Sequence, residues 1–343
     1  MVVCFRTDAS LNIGSGHVMR CLVLADELKQ RGADVFFICR QSNGDLINMI
    51  KEKSFPVLII REDSSAGDAA VILDILKKHK QAVDWMVVDH YGLDIRWEKD
   101  VKPFVKNIMV IDDLADRVHE CDLLLDQNFY IGMENRYDGL TPDNCRRLIG
   151  PKFSLLRAEF KQARAKLHKR NVPAKNILVF FGGSDITNET LKILEAIALL
   201  NNKEIKTDVV TGINNPHKDK IKEFIDSTCG MSYYSNINNI SELMLKADMF
   251  IGAAGITTWE RCCLGLASLV VSVAQNQVKT AEDMAKSNFL YYIGRHDLVS
   301  VSDIKGAIEY FFSSPQALED YSRNSYNLVD GLGSIRCADA ILG

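Results

Sequence analysis

The sequence predicts an α/β protein made of two doubly wound, Rossmann-like domains. Three observations lead to this prediction. Short β-rich runs alternate with amphipathic stretches from end to end, and most of these runs are continuously apolar, as in strands covered on both faces. The alternation also comes in two sets, separated by a polar stretch. Such alternation favours parallel sheets, and 343 residues fit two domains of about 150 residues each.

The first set of predicted strands covers residues 2–7, 34–39, 57–60, 86–89, 108–111 and 123–125. Residues 20–31, between the first two strands, have a helical pattern. Leu22, Leu24 and Leu28 share one face of this helix, and Gly32 is a typical C-terminal stop.

The second set of predicted strands covers residues 177–181, 208–211, 231–234, 249–251, 269–273 and 291–293. Its first strand is followed by a predicted helix over 187–200. Between the two sets, Pro151 is followed by a charged helix over 154–168 and a polar segment. We therefore expect an N-terminal domain over 1–150, an interdomain segment over 151–175 and a C-terminal domain over 176–343, with the last helix free to pack back on the N-terminal domain. In such folds ligands bind at the carboxyl ends of the strands, here in a cleft between the domains.

The overall composition argues against several classes of partner. A formal net charge of -4 provides no basic field for a nucleic acid. No apolar run approaches the roughly 18 residues that span a bilayer, and the apolar start is too short for a signal peptide. We therefore expect a cytoplasmic protein without stable membrane association.

The sequence predicts no metal site. The 9 cysteines are scattered without C-x-x-C spacing, which favours buried free thiols in a reducing compartment. The pair Asp112 and Asp113 ends a predicted strand, but it has no third ligand nearby in the sequence and is a weak candidate.

The turn after the first strand reads I-G-S-G-H. A dinucleotide fingerprint would need a small residue where Met19 stands, so a nicotinamide or flavin cofactor is not expected. Gly14 and Gly16 still allow close approach of a ligand to the backbone. The helix that follows disfavours an imidazolium, so we expect His17 to be neutral and able to act as a general base. The alternative, a histidine that merely caps the helix, stays open on spacing alone.

The other six histidines fall into two groups. His90 lies in D-H-Y-G at the carboxyl end of a strand, where it is expected to face the same cleft. The remaining five lie in charged or polar stretches and are predicted to be solvated: His79, His119, His168, His217 and His296.

Three turns in the second half predict a nucleotide site. G-G-S-D at 182–185 is a strand end that could hold a phosphate or diphosphate, or form a plain β-turn. A-A-G-I-T-T-W-E follows another strand: Gly255 permits close approach, Thr257 supplies a hydroxyl, and Glu260 could bind ribose hydroxyls or be a favourable first-turn charge. The third turn, V-A-Q-N-Q, carries Asn276 and Gln277. Together they favour a nucleotide with a diphosphate.

The motif R-T-D-A-S-L-N-I-G-S-G-H-V-M-R-C-L-V-L-A at 6–25 resembles the signature of the pseudaminic-acid pathway hydrolases, which act on UDP-2,4-diacetamido-2,4,6-trideoxy-β-L-altropyranose. D-H-Y-G, G-G-S-D and N-Q match in order, and the likeness covers nearly the whole chain. The chain is also similar, more distantly, to the spore-coat polysaccharide proteins and to the transferase that makes the lipid-linked peptidoglycan disaccharide. This kinship implies a GT-B fold, with two Rossmann-like domains facing across a cleft.

The resemblance implies roles for matching positions. His17 would activate water and Tyr91 would line the sugar site, while Gly183, Ser184, Glu260 and Asn276 would surround UDP. Arg157 fits the family's interdomain segment. We assign the other predicted substrate-binding positions within the same motifs: Asp8, Gly14, Gly16, Arg20, His90, Gly255, Thr257 and Gln277. Whether Asp8 orients His17 is left open.

The resemblance implies an inverting hydrolysis with a UDP-sugar as substrate, UDP as product, and neither metal nor cofactor. The turn at 253–260 departs from it, because it looks more like the transferase form of that turn. Two alternatives stay open: a UDP-sugar glycosyltransferase, and a sugar-nucleotide binding protein without catalysis. The first is disfavoured because no apolar, basic stretch for a membrane acceptor is found in the N-terminal half, and the second because it has no use for a histidine at the turn.

Overall fold

The computed structural model describes residues 1–11, 13–61, 67–79, 81–168, 170–235, 237 and 239–343. The chain divides into two compact units. The first contains residues 1–128, 132–156 and 332–343, and the second contains residues 129–131 and 157–331.

The first unit contains a parallel sheet of seven strands in the order β3-β2-β1-β4-β5-β6-β7. The strands are β1 Val2–Thr7, β2 Asp34–Arg40, β3 Val57–Ile60, β4 Val83–Asp89, β5 Val105–Ile111, β6 Leu123–Asp126 and β7 Arg146–Ile149. The helices between them are α1 Gly16–Gln30, α2 Ile47–Glu52, α3 Asp68–Lys78 and α4 Ile95–Val101, with short 3-10 helices at Lys102–Phe104, Met133–Asn135 and Pro151–Phe153.

Both faces of the first sheet are covered, as the apolar strands predicted. Val3 and Phe5 of β1 point into one apolar core, and their neighbours Val2 and Cys4 point into the other. This alternation follows from the pleat of a strand, which sends successive side chains to opposite faces. Burial on both sides leaves only the ends of the sheet for polar chemistry.

The second unit contains a parallel sheet of six strands in the order β10-β9-β8-β11-β12-β13. The strands are β8 Asn176–Phe180, β9 Lys206–Thr211, β10 Met231–Ser235, β11 Met249–Ala253, β12 Ser268–Ser272 and β13 Tyr291–Arg295. The helices are α5 Ala158–Arg164, α6 Glu189–Ala198, α7 Lys218–Asp226, α8 Ile240–Lys246, α9 Thr257–Cys263, α10 Gln275–Lys286, α11 Val301–Ser313 and α12 Pro315–Leu328.

The final helix, α13 Gly333–Leu342, belongs to the first unit. Its residues Cys337, Ala338 and Ile341 are buried in the same core as Leu24 and Leu28 of α1. Gly333 lies tightly against the chain at Ser154, where a Cβ would stand 2.2 Å from the carbonyl oxygen. The first unit is therefore completed by residues far away in the sequence.

The predicted architecture of two doubly wound α/β sheets is confirmed. The strand β7 was not predicted from the sequence. Its sequence, R-R-L-I, lacks an apolar run because β7 lies at a sheet edge. Within the described part of the chain, no helix is both long and apolar enough to cross a bilayer.

Candidate functional site

The turn between β1 and α1 places His17 in the first turn of the helix. Ser10 closes the turn, because its carbonyl accepts from the Gly14 N–H at 2.8 Å. Gly14 has φ of +80°, the left-handed region that glycine adopts without strain. Helix α1 begins at Gly16 rather than at the predicted residue 20, so His17 is held within a helix and is only 7% exposed.

A buried carboxylate holds the His17 ring. Asp89, the last residue of β4, lies opposite Thr7 of β1 in the parallel register and is fully buried. Its Oδ1 is 2.6 Å from His17 Nδ1. Arg20 donates to both oxygens of the same carboxylate, from Nε at 2.6 Å and from Nη2 at 2.7 Å. The sequence motif D-H-Y-G contained Asp89, but the sequence analysis assigned it no role.

The ionisation state of Asp89 determines which nitrogen of the His17 ring carries the proton. Burial by itself would raise the pKa of Asp89, but the positive charge of Arg20 and the contact with His17 outweigh it and lower that pKa. An ionised carboxylate at Nδ1 favours a proton on that nitrogen and leaves the lone pair of the neutral ring on Nε2. The helix terminus is thus not the only influence on His17, and the predicted neutral ring stays a prediction.

Tyr91 and Asp113 complete this cluster. The Tyr91 ring meets the His17 ring edge-on with 4.6 Å between centroids. The Tyr91 hydroxyl donates to Asp113 Oδ1 at 2.8 Å, and Arg20 Nη1 donates to Asp113 Oδ2 at 3.1 Å. Burial and the nearby Asp113 charge raise the pKa of Tyr91, so the phenol keeps its proton. The ring remains 40% exposed and available to a ligand.

Asp8 and His90 belong to a neighbouring network. Asp8 accepts from Arg6 Nη1 at 2.6 Å and from the Arg40 backbone N–H at 2.7 Å. His90 Nε2 lies 3.4 Å from Asp8 Oδ2. Burial would raise the pKa of Asp8, but hydrogen bonds from His90 and Arg6 lower it. The question left open by the sequence is thereby answered: Asp89 is the carboxylate that holds His17, and Asp8 is committed to Arg6.

His119 was predicted to be solvated, and this prediction is wrong. It is 1% exposed, with Nδ1 2.7 Å from Glu98 Oε1 and Nε2 3.8 Å from Asp112 Oδ2. Burial would lower the pKa of His119, but the two carboxylates raise it to about 9. The residues next to His119 in the sequence include exposed ones such as Asp116, whereas the buried partners of its ring come from other segments.

Asp112 and Asp113, the pair considered as a metal site, do not point to a common site. Asp112 faces Arg117 at 3.0 Å and His119, whereas Asp113 faces Arg20 and Tyr91. The described residues contain no group of three or more His, Cys, Asp or Glu side chains arranged to hold a metal ion.

In the second unit, the turn 182–185 exposes Gly183 and Ser184 after β8. The Asp185 carboxylate accepts from the backbone N–H groups of Glu189 at 2.9 Å and Thr190 at 3.0 Å, and so caps α6. These helix amides are therefore occupied. These two amides are not available to a ligand at this turn, whereas Gly183 and Ser184 are exposed.

Gly212 supports this turn and was missed by the sequence analysis. A Cβ at Gly212 would stand 2.2 Å from the carbonyl oxygen of Gly183, closer than any real contact. The end of β9 thus packs directly against the turn that follows β8. Gly212 could have been noticed in the sequence, because a glycine directly after a strand often marks a close approach of two backbones.

The turn after β11 carries the predicted Gly255, Thr257 and Glu260. Thr257 is the first residue of α9, and Glu260 Oε1 accepts from Arg157 Nη2 at 3.1 Å. Burial raises the pKa of Glu260, and Arg157 opposes this effect. The second unit therefore brings Arg157 and Glu260 together, although they are far apart in the sequence.

Gln277 and Asn276 lie in the first turn of α10. Gln277 Oε1 accepts from the Val273 N–H at 3.0 Å. Gln277 Nε2 lies near Gly255, since a Cβ added to Gly255 would be 3.9 Å from this nitrogen. Asn276 is exposed. The turns after β11 and β12 thus meet, and both carry groups that can donate to an anion or a base.

Comparison with known proteins identifies the family. The chain is 30% identical over 291 residues to the UDP-2,4-diacetamido-2,4,6-trideoxy-beta-L-altropyranose hydrolase of Campylobacter jejuni, covering 84% of this chain and 98% of the relative. The chain belongs to this hydrolase family. The predicted resemblance is thereby confirmed.

Further relatives agree with this placement. The chain is 26% identical to the spore coat polysaccharide biosynthesis protein SpsG of Bacillus subtilis, over 96% of this chain and 94% of the relative. It is 28% identical to an uncharacterised protein of Methanocaldococcus jannaschii over 83% of this chain, but it spans only 58% of that relative's length.

The fold is also that of glycosyltransferases. Residues 177–330 match the model of the glycosyltransferase family 28 C-terminal domain. The crystal structure of Acinetobacter baumannii MurG is similar with a TM-score of 0.70 at 13% identity, over 99% of each chain. The predicted GT-B fold class is thereby confirmed.

Proposed function

We propose that this chain hydrolyses a UDP-linked 2,4-diacetamido-2,4,6-trideoxy hexose at the anomeric carbon, as a step in pseudaminic acid biosynthesis. The products are UDP and the free sugar. Membership of the hydrolase family supports the substrate class. The observation that carries the proposal is the contact of 2.6 Å between His17 Nδ1 and the buried Asp89, which leaves Nε2 as an acceptor.

The first unit would activate the water. His17 Nε2 takes a proton from a water molecule as the water oxygen attacks C1 from the face opposite UDP. The C1–O bond breaks, its electron pair goes to the β-phosphate oxygen, and the anomeric configuration inverts. Asp89 stabilises the imidazolium that forms, and Arg20 keeps Asp89 ionised. Tyr91 lines the sugar beside His17.

The second unit would hold the leaving group. In this proposal the backbone N–H groups of the exposed residues Gly183 and Ser184 donate to the diphosphate, and Glu260 accepts from the ribose hydroxyls. In this proposal the donors of the protein stabilise the diphosphate and no metal ion is required. Turnover that survives a chelator supports this point, and turnover restored only by a divalent cation contradicts it.

The deciding experiment incubates the protein with a panel of UDP-sugars and follows the products by NMR. We expect UDP and the inverted free sugar from the diacetamido-trideoxy substrate without any added acceptor. Repeating the reaction in oxygen-18 water identifies the bond that breaks. Label in the sugar supports attack at C1, whereas label in UDP would refute it.

His17→Ala tests the proposed base. We expect turnover to fall by roughly 100-fold or more, the contribution of a positioned general base. His168→Ala is the control, because His168 is exposed and belongs to the second unit. Near-normal turnover of the His17 variant contradicts the assignment.

A glycosyltransferase is the second candidate, because residues 177–330 match a glycosyltransferase C-terminal domain. Such an enzyme passes the sugar to an acceptor other than water. Release of UDP that depends on an added acceptor would favour this candidate over hydrolysis.

A further inference from the structure

Arg261 is a buried arginine beneath the turn that follows β11. It is 1% exposed, and its guanidinium lies over the Phe250 ring at 4.3 Å. Nη1 donates to the Ala253 carbonyl at 3.1 Å, and Nη2 donates to Thr258 Oγ1 at 2.8 Å. Two hydrogen bonds therefore tie the guanidinium to the two ends of the turn.

The charge of Arg261 is poorly compensated. Within the described part of the chain, no carboxylate oxygen lies within 4.0 Å of its guanidinium, and its buried Nε has no hydrogen-bond partner. The neighbouring carboxylate, Glu260, is hydrogen-bonded to Arg157, and its charge offsets the effect of burial on the pKa of Arg261 only in part. Burial lowers the pKa of Arg261 to about 10, which still leaves it charged at neutral pH.

A buried cation without an anionic partner is costly to a fold, whereas a neutral side chain of similar size could fill the same space. The cost is recovered when an anion binds nearby, because the low dielectric of the interior screens the attraction weakly. The turn that Arg261 supports carries Gly255, Thr257 and Glu260, and Gly255 adjoins Gln277 of the next turn.

We propose that Arg261, anchored by its hydrogen bonds to the 253–258 turn, is a positioning residue that supplies a fixed positive charge for a nucleoside diphosphate without touching it. This inference rests on the proposed function, because it takes the diphosphate of UDP as the anion. It adds a source of affinity for the diphosphate that none of the exposed groups provides.

The test compares the binding of uridine, UMP and UDP by titration calorimetry to the wild type, Arg261→Met and Arg261→Lys. We expect Arg261→Met to weaken UDP binding by about tenfold and uridine binding by less than about twofold, because only the charged ligand loses an attraction. Arg261→Lys should recover most of the loss. A purely structural role would weaken both ligands equally and would overturn the inference, as would unchanged binding of UDP.

Two further measurements keep the outcomes separate. If Arg261→Met does not fold, Thr258→Val replaces it, because this change removes one of the two hydrogen bonds that orient the guanidinium. The same selective loss of UDP affinity is then expected, and an equal loss for uridine overturns the inference. A wild type that fails to bind UDP overturns the proposed function itself, whereas UDP binding that is indifferent to Arg261 overturns the inference alone.

Discussion

Replacing Asp89 by asparagine separates the orientation of His17 from the stability of the first unit. Asp89 accepts three short hydrogen bonds, one involving His17 Nδ1 at 2.6 Å and two from Arg20 at 2.6 and 2.7 Å. An amide keeps one oxygen and presents an NH₂ group to partners that are themselves donors. The buried Arg20 then loses one of its two bonds to this side chain and keeps the bond to Asp113 at 3.1 Å.

The expected magnitudes follow from these contacts. Removing one partner of a buried ion pair costs about 3–5 kcal/mol in the free energy of unfolding. An amide at Nδ1 also permits the wrong ring tautomer, for which we expect turnover to fall by roughly 10²–10⁴-fold. The pKa of Asp89 is lowered in the folded state, so its stabilisation is present above the unfolded pKa of about 4 and is lost as the pH falls below it.

The assay measures the initial rate of UDP release, together with urea denaturation of the same samples. Glu98→Gln is the matched control, because Glu98 is a fully buried carboxylate 2.7 Å from His119 in the same unit. We expect a similar loss of stability but a rate within about threefold of the wild type, because His119 is outside the proposed site. Equal rate losses in both variants would refute the orienting role of Asp89, as would a normal rate in Asp89→Asn.

Two other predictions concern the ion network and the backbone. The pKa of His119 is raised to about 9, so its stabilisation is complete below about 6.5 and is lost as the pH rises through about 9. The urea midpoint should therefore decrease as the pH rises from about 7.5 to 9.5, roughly the range of that loss. His119→Gln should remove this dependence of the midpoint on pH. A dependence that is unchanged in the variant contradicts the assignment. Gly212→Ala should displace the Gly183 carbonyl, which a Cβ would approach to 2.2 Å, and weaken UDP binding by about tenfold or more in calorimetry. Gly306→Ala, where a Cβ meets nothing within 4 Å, is the control, and equal affinities in the two variants would contradict the prediction.

The sequence predicted the sheets well because strands covered on both faces are apolar throughout. It failed at a sheet edge and at a buried polar side chain. The edge strand β7 has the sequence R-R-L-I and gave no apolar signal. His119 was expected to be solvated because its sequence neighbours are charged, but its buried partners, Glu98 and Asp112, come from elsewhere in the chain.

The sequence motifs named candidate residues but not the contacts between them. His17 and Tyr91 were singled out from motifs, but their partners Asp89 and Asp113 come from other strand ends. Which strand ends adjoin depends on the order of strands in the sheet, and β4 lies beside β1 only through a crossover. A single sequence does not fix that order. The sequence pattern therefore named the residues but left their contacts undetermined.

Helix α13 has a consequence for how the chain acquires its structure during synthesis. Residues 1–156 leave the ribosome long before the segment 332–343, whose Cys337, Ala338 and Ile341 fill the core beside α1. Until then the part of α1 that packs against α13 is uncovered, so the first unit reaches its final packing only after the second unit has been translated. A recombinant fragment ending at residue 156 should be prone to aggregation, and supplying residues 332–343 through a short linker should restore its solubility.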